Sequence, residues 1–142
     1  MNIYIASDHG GVELKAALKE HLKEVVDLGV HSEESADYPD QAHALAGKVV
    51  EEGTMGILIC RSGIGMSIVA NKHQGVRAAL CMDAKMAEMA RRHNNANVLC
   101  LAADYITEEE AKEMADIFLN TPFDGDSPDG ERHRRRVEKI EP

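Results

Sequence analysis

Gly56-Ile57-Leu58-Ile59-Cys60-Arg61-Ser62-Gly63-Ile64-Gly65-Met66-Ser67 is the stretch on which the reading of this chain turns. It begins as an unbroken apolar run, the pattern of a strand buried on both faces of a parallel sheet. A Cys, an Arg, a hydroxyl and two glycines follow, and the residues over 64–72 have a helical pattern. A strand that ends in a glycine-containing turn and opens a helix makes an anion site. Free backbone N–H groups point outward there, and the helix dipole favours negative charge. Glycine lets the backbone approach a ligand closely and take positive φ where the turn needs it. Cys60 falls at the carboxyl end of the strand, where open α/β sheets bind their ligands. N–H donors around a thiol in that position favour its reactive form.

On either side of this unit, strand and helix patterns alternate. Spacing predicts further strands over 2–6, 24–28, 76–81 and 97–101, and helices over 12–23, 40–52, 83–93, 108–120 and 132–141. Leu14, Leu18, Leu22 and Val25 recur at helical spacing. Ala42, Leu45, Ala46, Val49 and Val50 make the inward side of the second helix, and Met86, Ala87, Met89 and Ala90 that of the fourth. Pro39 suits a first helical turn, and Thr107 with Glu110 is a capping box. Five strand–helix alternations mean βαβ units with right-handed crossovers, hence a doubly wound α/β domain with a parallel sheet. The chain reads as one domain over 1–142, with 121–142 forming a linker and a C-terminal helical arm.

Composition narrows the function. A chain of 142 residues with 44% apolar and 29% charged content is an ordinary globular domain. A net charge of −9 argues against nucleic-acid binding, which needs basic surface. Cys60, Cys81 and Cys100 are odd in number and lie in or beside apolar runs, so a reducing compartment is expected instead of disulfides. The first residues run straight into a strand pattern without a signal sequence, and no stretch is long enough to span a membrane. The expectation is a cytoplasmic protein.

Four groups with reactive side chains fall at strand ends: Asp8-His9, Cys60-Arg61-Ser62, Cys81-Met82-Asp83 and the residues over 101–104. The first two belong to strands expected to be neighbours, because chain order changes direction between them in this fold class. Each has a plain structural alternative. A Cys after Ile-Leu-Ile often packs as a small apolar residue, Asp8 and His9 can cap a turn, and His93 can favour a helix dipole. Cys81 and Cys100 read as packing residues. The seven histidines show no HxxxH or HxH spacing, so no metal is expected. Gly63-x-Gly65 lacks the third glycine of a dinucleotide fingerprint, and neither GxxxxGK[ST] nor GxSxG occurs. In the tail, Arg132 and Arg136 share a helical face and form either a solvated basic surface or a two-pronged phosphate clamp able to reach a neighbouring subunit.

Taken together, several stretches resemble the ribose-5-phosphate isomerase B family, which includes galactose- and allose-6-phosphate isomerases. They are Ser7-Asp8-His9-Gly10-Gly11, Asp37-Tyr38-Pro39, Ile57-Leu58-Ile59-Cys60 with Ser62-Gly63-Ile64-Gly65, and Ser67-Ile68-Val69-Ala70-Asn71-Lys72. Gly75-Val76-Arg77-Ala78, Arg92-His93-Asn94, Asn97-Val98-Leu99, Gly130 with Arg132-His133, and Arg136-Val137 continue the likeness along nearly the whole chain.

The resemblance implies a Rossmann-like, five-stranded parallel sheet between helices and a homodimer or tetramer with active sites shared between subunits. It implies interconversion of an aldose and a ketose phosphate without metal or organic cofactor, ribose 5-phosphate and ribulose 5-phosphate of the pentose phosphate pathway first among them. Cys60 would be the base and Ser62 would assist transfer between the oxygens. The backbone at Gly63, Ile64, Gly65, Met66 and Ser67 would hold the oxyanion. His93 with Asp8 would open the sugar ring. His9, Arg132 and Arg136 would bind phosphate, and Tyr38 and Asn94 would line the sugar site. A hexose 6-phosphate isomerase and a non-catalytic sugar-phosphate sensor are the alternatives. The chemistry agrees, since charge appears on the carbonyl oxygen as the α-proton leaves, and one fixed donor at that oxygen is worth about 3–4 kcal/mol. Two positions depart from the family pattern: Arg61 replaces a usual Gly, and Asp104 replaces a usual Arg. Arg61 is expected to supply the missing phosphate contact or to pair with Asp104.

Overall fold

A computed structural model describes residues 1–32 and 34–142. The strands are β1 (Ile3–Ser7), β2 (Val25–Asp27), β3 (Gly56–Cys60), β4 (Ala78–Leu80) and β5 (Val98–Ala102). The helices are α1 (Val12–Leu22), α2 (Tyr38–Glu52), α3 (Ile64–Ala70), α4 (Ala84–Asn94), α5 (Glu108–Asn120) and α6 (Glu131–Glu138). All five strands pair in parallel in the order β2-β1-β3-β5-β4. The chain leaves β1 for the edge, then crosses back to β3, so these two strands flank the point where winding reverses. That is the expected neighbour relation, and it puts the end of β1 beside the end of β3.

Alternation along each strand divides the core between two layers. Ile57 and Ile59 of β3 join Leu14, Leu18, Met114 and Phe118 on the α1, α4 and α5 side. Leu58 and Cys60 face the other way, with Leu45, Val49, Met66 and Ala70 of α2 and α3. Gly56 is bare because Leu45 and Val49 lie where a Cβ would stand.

Several element ends move by a few residues. α2 starts at Tyr38 and takes Pro39 into its first turn, whereas α6 stops at Glu138. α3 and β4 are shorter than their apolar patterns. Asp83 caps α4 by accepting the Met86 N–H at 2.8 Å, and the Thr107–Glu110 capping box forms on α5. Val50 and Met86, expected to face inward, are exposed. Each sits one residue from a buried neighbour, Val49 and Ala87, and so about 100° round the helix from the apolar stripe.

A candidate active site divided between the two ends of the sheet

At the carboxyl ends of the strands, the chain folds as its glycines dictate. Gly63 takes φ +74°, and a Cβ there would strike Leu80 Cδ1 at 2.5 Å, so this turn accepts glycine alone. The turn points the Gly63 N–H at Cys60 Sγ, 3.1 Å away. The Ile64 N–H meets Ser62 Oγ at 3.3 Å, and the first intrahelical bond runs from the Ser67 N–H to the Gly63 carbonyl. The N–H groups of Gly65 and Met66, in the first turn of α3, precede that bond and have no acceptor within the helix. Ser67 is turned back, its Oγ donating to the Ile64 carbonyl at 2.8 Å.

Cys60 is 6% exposed, with its sulfur toward the start of α3. The other two thiols are locked in the core. Burial, with Asp83 nearby, pushes Cys81 up to about 12, and burial raises Cys100 further. Neither can serve as a base near neutral pH.

Three more predicted residues gather around this tip. The Asp8 N–H donates to the Ile59 carbonyl at 3.2 Å, and its carboxylate accepts the Gly10 N–H at 2.9 Å. His9 Nδ1 accepts the Ala36 N–H at 3.1 Å. The Tyr38 ring lies across Gly65, where a Cβ would come within 2.4 Å of Tyr38 Cε1. Gly65 is therefore bare so that an aromatic wall can close on the first turn of α3. Across the sheet tip from the Cys60 sulfur, a cavity of about 410 Å³ opens on the α1 and α5 side, with His9, Arg61 and Asp104 in its lining.

The remaining predicted residues form a second cluster at the other end of the sheet. α4 runs antiparallel to the strands, so His93 and Asn94 come out where the strands begin. They share a cavity of about 280 Å³ with His133 and Arg136 of α6. The His93 and His133 rings stack at 4.2 Å, tilted by 5°. Asp124 holds Arg92 through Oδ1 at 3.1 Å and stands 3.9 Å from His93 through Oδ2. The Arg92 hydrogen bond keeps the Asp124 carboxyl below its ordinary range, and desolvation with Arg132 nearby lowers His133.

Ligand-type atoms of His93, Asp124 and His133 lie within 4.8 Å of one another. Parallel rings set their lone pairs side by side instead of converging, and Arg92 already occupies one Asp124 oxygen, so the trio is poorly shaped for a metal. Among the described residues, Arg134 is paired with Asp126 and Arg135 with Glu131, whereas Arg132 and Arg136 pair with no carboxylate. The two arginines singled out as a clamp are the two left free.

Within one chain, then, Cys60, Ser62, Asp8, His9, Tyr38 and Arg61 come together, while His93, Asn94, Arg132 and Arg136 do not join them. Asp124 and His133 belong to the second group, and neither is among the candidates drawn from sequence. An Asp in a Gly/Pro/Asp linker reads as a turn. His133 carried one usable signal, its i, i+3, i+4 spacing with Arg136 and Val137.

The profile of the ribose/galactose isomerase family matches residues 3–140. The chain belongs to this family. A ribose 5-phosphate isomerase from Thermotoga maritima is 48% identical, with TM-score 0.91 over 98% of this chain and 96% of that one. The ribose-5-phosphate isomerase B of Mycoplasma genitalium, solved with bound ribulose 5-phosphate, is 46% identical, with TM-score 0.90 over 98% of this chain and 93% of that one. The Escherichia coli ribose-5-phosphate isomerase B is 39% identical over 97% of this chain and 93% of its own.

Proposed function

We propose that this chain interconverts ribose 5-phosphate and ribulose 5-phosphate through an enediolate, as a homodimer whose sites are completed by the second copy. The observation that carries the reading is the Cys60 sulfur under the Gly63 N–H, beside the Gly65 and Met66 N–H groups that precede the first intrahelical bond of α3. Its kinship with the Mycoplasma genitalium enzyme, which holds ribulose 5-phosphate, supports the choice of sugar.

The Cys60 thiolate takes the proton from C2 of the opened aldose, and the electron pair moves through C1 to O1. The Gly65 and Met66 N–H groups receive the charge on the oxygen, where they are fixed before the reaction begins. Ser62 passes a proton between O2 and O1, the thiol returns its proton to C1, and the ketose results. Tyr38 walls the sugar and His9 meets the phosphate. Phosphate binding holds the reactive carbons against the sulfur without taking part in bond making.

His93, with Asp8 of the facing chain, opens the ring, and Asn94, Arg132 and Arg136 reach across with it. The test is a coupled assay on ribose, allose and galactose phosphates. Turnover is expected to be fastest with ribose 5-phosphate and to fall by a factor of about 10² to 10⁴ in Cys60→Ala. Equal turnover of all three by the Ala variant would refute the assignment of the base.

A further inference from the structure

Arg61 and Asp104 stand side by side because their backbones are laced together. The Ala103 N–H donates to the Cys60 carbonyl at 2.9 Å, and the Asp104 N–H to the Arg61 carbonyl at 3.0 Å. The Arg61 stem lies along Gly10, where a Cβ would come within 2.5 Å of its Cγ. That bare position sends the guanidinium over the 410 Å³ cavity on the α1 and α5 side of the sheet tip. Glu13, Asp104 and Glu108 also line the cavity, and among the described residues of its lining Arg61 is the one permanent cation. His9 adds a neutral donor. Its Nδ1 accepts the Ala36 N–H, which leaves the proton on Nε2 for an anion in the cavity.

Arg61 and Asp104 meet through a single contact, Nη1 to Oδ1 at 3.5 Å, with both side chains exposed. A good charge-assisted bond is about 2.7–2.9 Å, and an Arg–carboxylate pair at full strength is bidentate. A single long, solvated contact contributes little and yields readily to a better anion. A phosphate offers three strongly accepting oxygens in the fork geometry a guanidinium prefers.

We propose that Arg61 is the phosphate ligand supplied by the same chain as Cys60, parked on Asp104 while the site is empty and released by a dianionic phosphate. This rests on the sugar-phosphate reading above and assigns the residues that discriminate phosphorylated sugars from unphosphorylated ones. Pairing with Asp104 and contact with phosphate are then two positions of one side chain. Asp104 is a positioning residue: it aims the guanidinium into the cavity and competes with the incoming anion. A monoanion or a neutral sugar repays that competition poorly, so the pair sharpens selection for phosphate.

The test compares wild type with R61Q, D104N and the double variant, using ribose 5-phosphate turnover and binding of inorganic phosphate measured by calorimetry. Both residues are exposed in loops, and circular dichroism checks that the variants fold. In R61Q, loss of a charge-assisted pair should raise KM and the phosphate Kd by about tenfold or more, with a smaller fall in kcat. D104N should lower both constants about two- to threefold, and only while Arg61 is present. An unchanged phosphate Kd in R61Q, or the same D104N effect without Arg61, would overturn the proposal. Calorimetry separates this from the functional reading: phosphate binding that depends on Arg61 without isomerase turnover would defeat the reaction and leave the ligand.

Discussion

A mixture of two inactive variants tests the divided site most directly. The Gly56 N–H donates to the Asn97 carbonyl at 2.9 Å, which puts Asn97 level with the start of β3. From Gly56 to Cys60 the strand climbs about 13 Å at 3.3 Å per residue. His93 lies before Asn97 in the cluster at that lower end, beyond reach of a sugar held at Cys60 in the same chain. Cys60→Ala removes the base, and His93→Asn removes the ring-opening group; each should cost a factor of about 10² to 10⁴ in kcat. When the two are mixed in equal amounts and allowed to exchange subunits, one site in four draws an intact Cys60 and an intact His93 from different chains. The mixture should recover about a quarter of wild-type activity, because each closed pair repeats the same interface twice. Native mass spectrometry would confirm that mixed dimers had formed. If they form and activity stays at the level of the parents, Cys60 and His93 do not act on one substrate across the interface, and the shared site is wrong.

Alkylation with iodoacetamide should label Cys60 first, with activity lost in step and ribulose 5-phosphate protecting; labelling of Cys81, whose thiol is pushed up to about 12, before Cys60 would contradict the assignment. Gly65→Ala should displace Tyr38, since the new Cβ would stand 2.4 Å from the ring. Because the ring is partly exposed, the variant should raise KM more than it lowers Tm, and the effect should vanish in a Tyr38→Ala background. Asp27 holds Lys15 at 2.8 Å and Lys19 at 2.9 Å, with Lys15 fully buried and bonded also to the Val30 carbonyl. Desolvation raises the Asp27 carboxyl, but its hydrogen bonds to the two lysines and the Gly29 N–H outweigh it and hold the group below the ordinary range. The unfolded chain therefore binds the proton first as pH falls. The stabilisation is complete above about pH 4 and is lost on acidification through the depressed native value. Asp27→Asn leaves the buried ammonium without its charge partner and should cost about 3–5 kcal/mol in chemical denaturation at neutral pH, whereas a loss under 1 kcal/mol would count against a buried pair.

How much of this was legible beforehand depended on whether a residue's role is local. The β3–α3 unit was readable because its causes lie within ten residues: an apolar run, a glycine that must take positive φ, and a thiol at the turn. The five alternations gave the sheet, and the neighbour relation of β1 and β3 followed from the reversal of winding. Boundaries slipped where tertiary packing overrode local pattern, as at β4, whose flanking residues Val76 and Cys81 are apolar and buried yet lie outside the strand. Val50 and Met86 misled because β-branched and long apolar side chains next to a stripe look like part of it. Asp124 was invisible because its partner Arg92 lies 32 residues away, and no turn pattern encodes a long-range ion pair. The departures at Arg61 and Asp104 were visible as isolated oddities, and only the paired backbone bonds show them to be neighbours.

The division of the site follows from the fold itself. In a parallel sheet every crossover helix runs back against its strands, so a residue at a helix carboxyl end emerges at the edge where strands begin. Cys60 ends a strand and His93 ends a helix. Any mechanism that uses both on one five-carbon sugar therefore needs two copies of the chain, whichever surfaces they use to meet. Within this chain, the free pair Arg132 and Arg136 beside His93 fits the same requirement, because a cation meant for its own subunit would find Asp126 or Glu131, as Arg134 and Arg135 do. On the proposed function, an unpaired guanidinium at the far edge is charge held for an anion bound by a second copy. On the proposal made above, the loosely held Arg61 at the near edge would be the matching half of that grip.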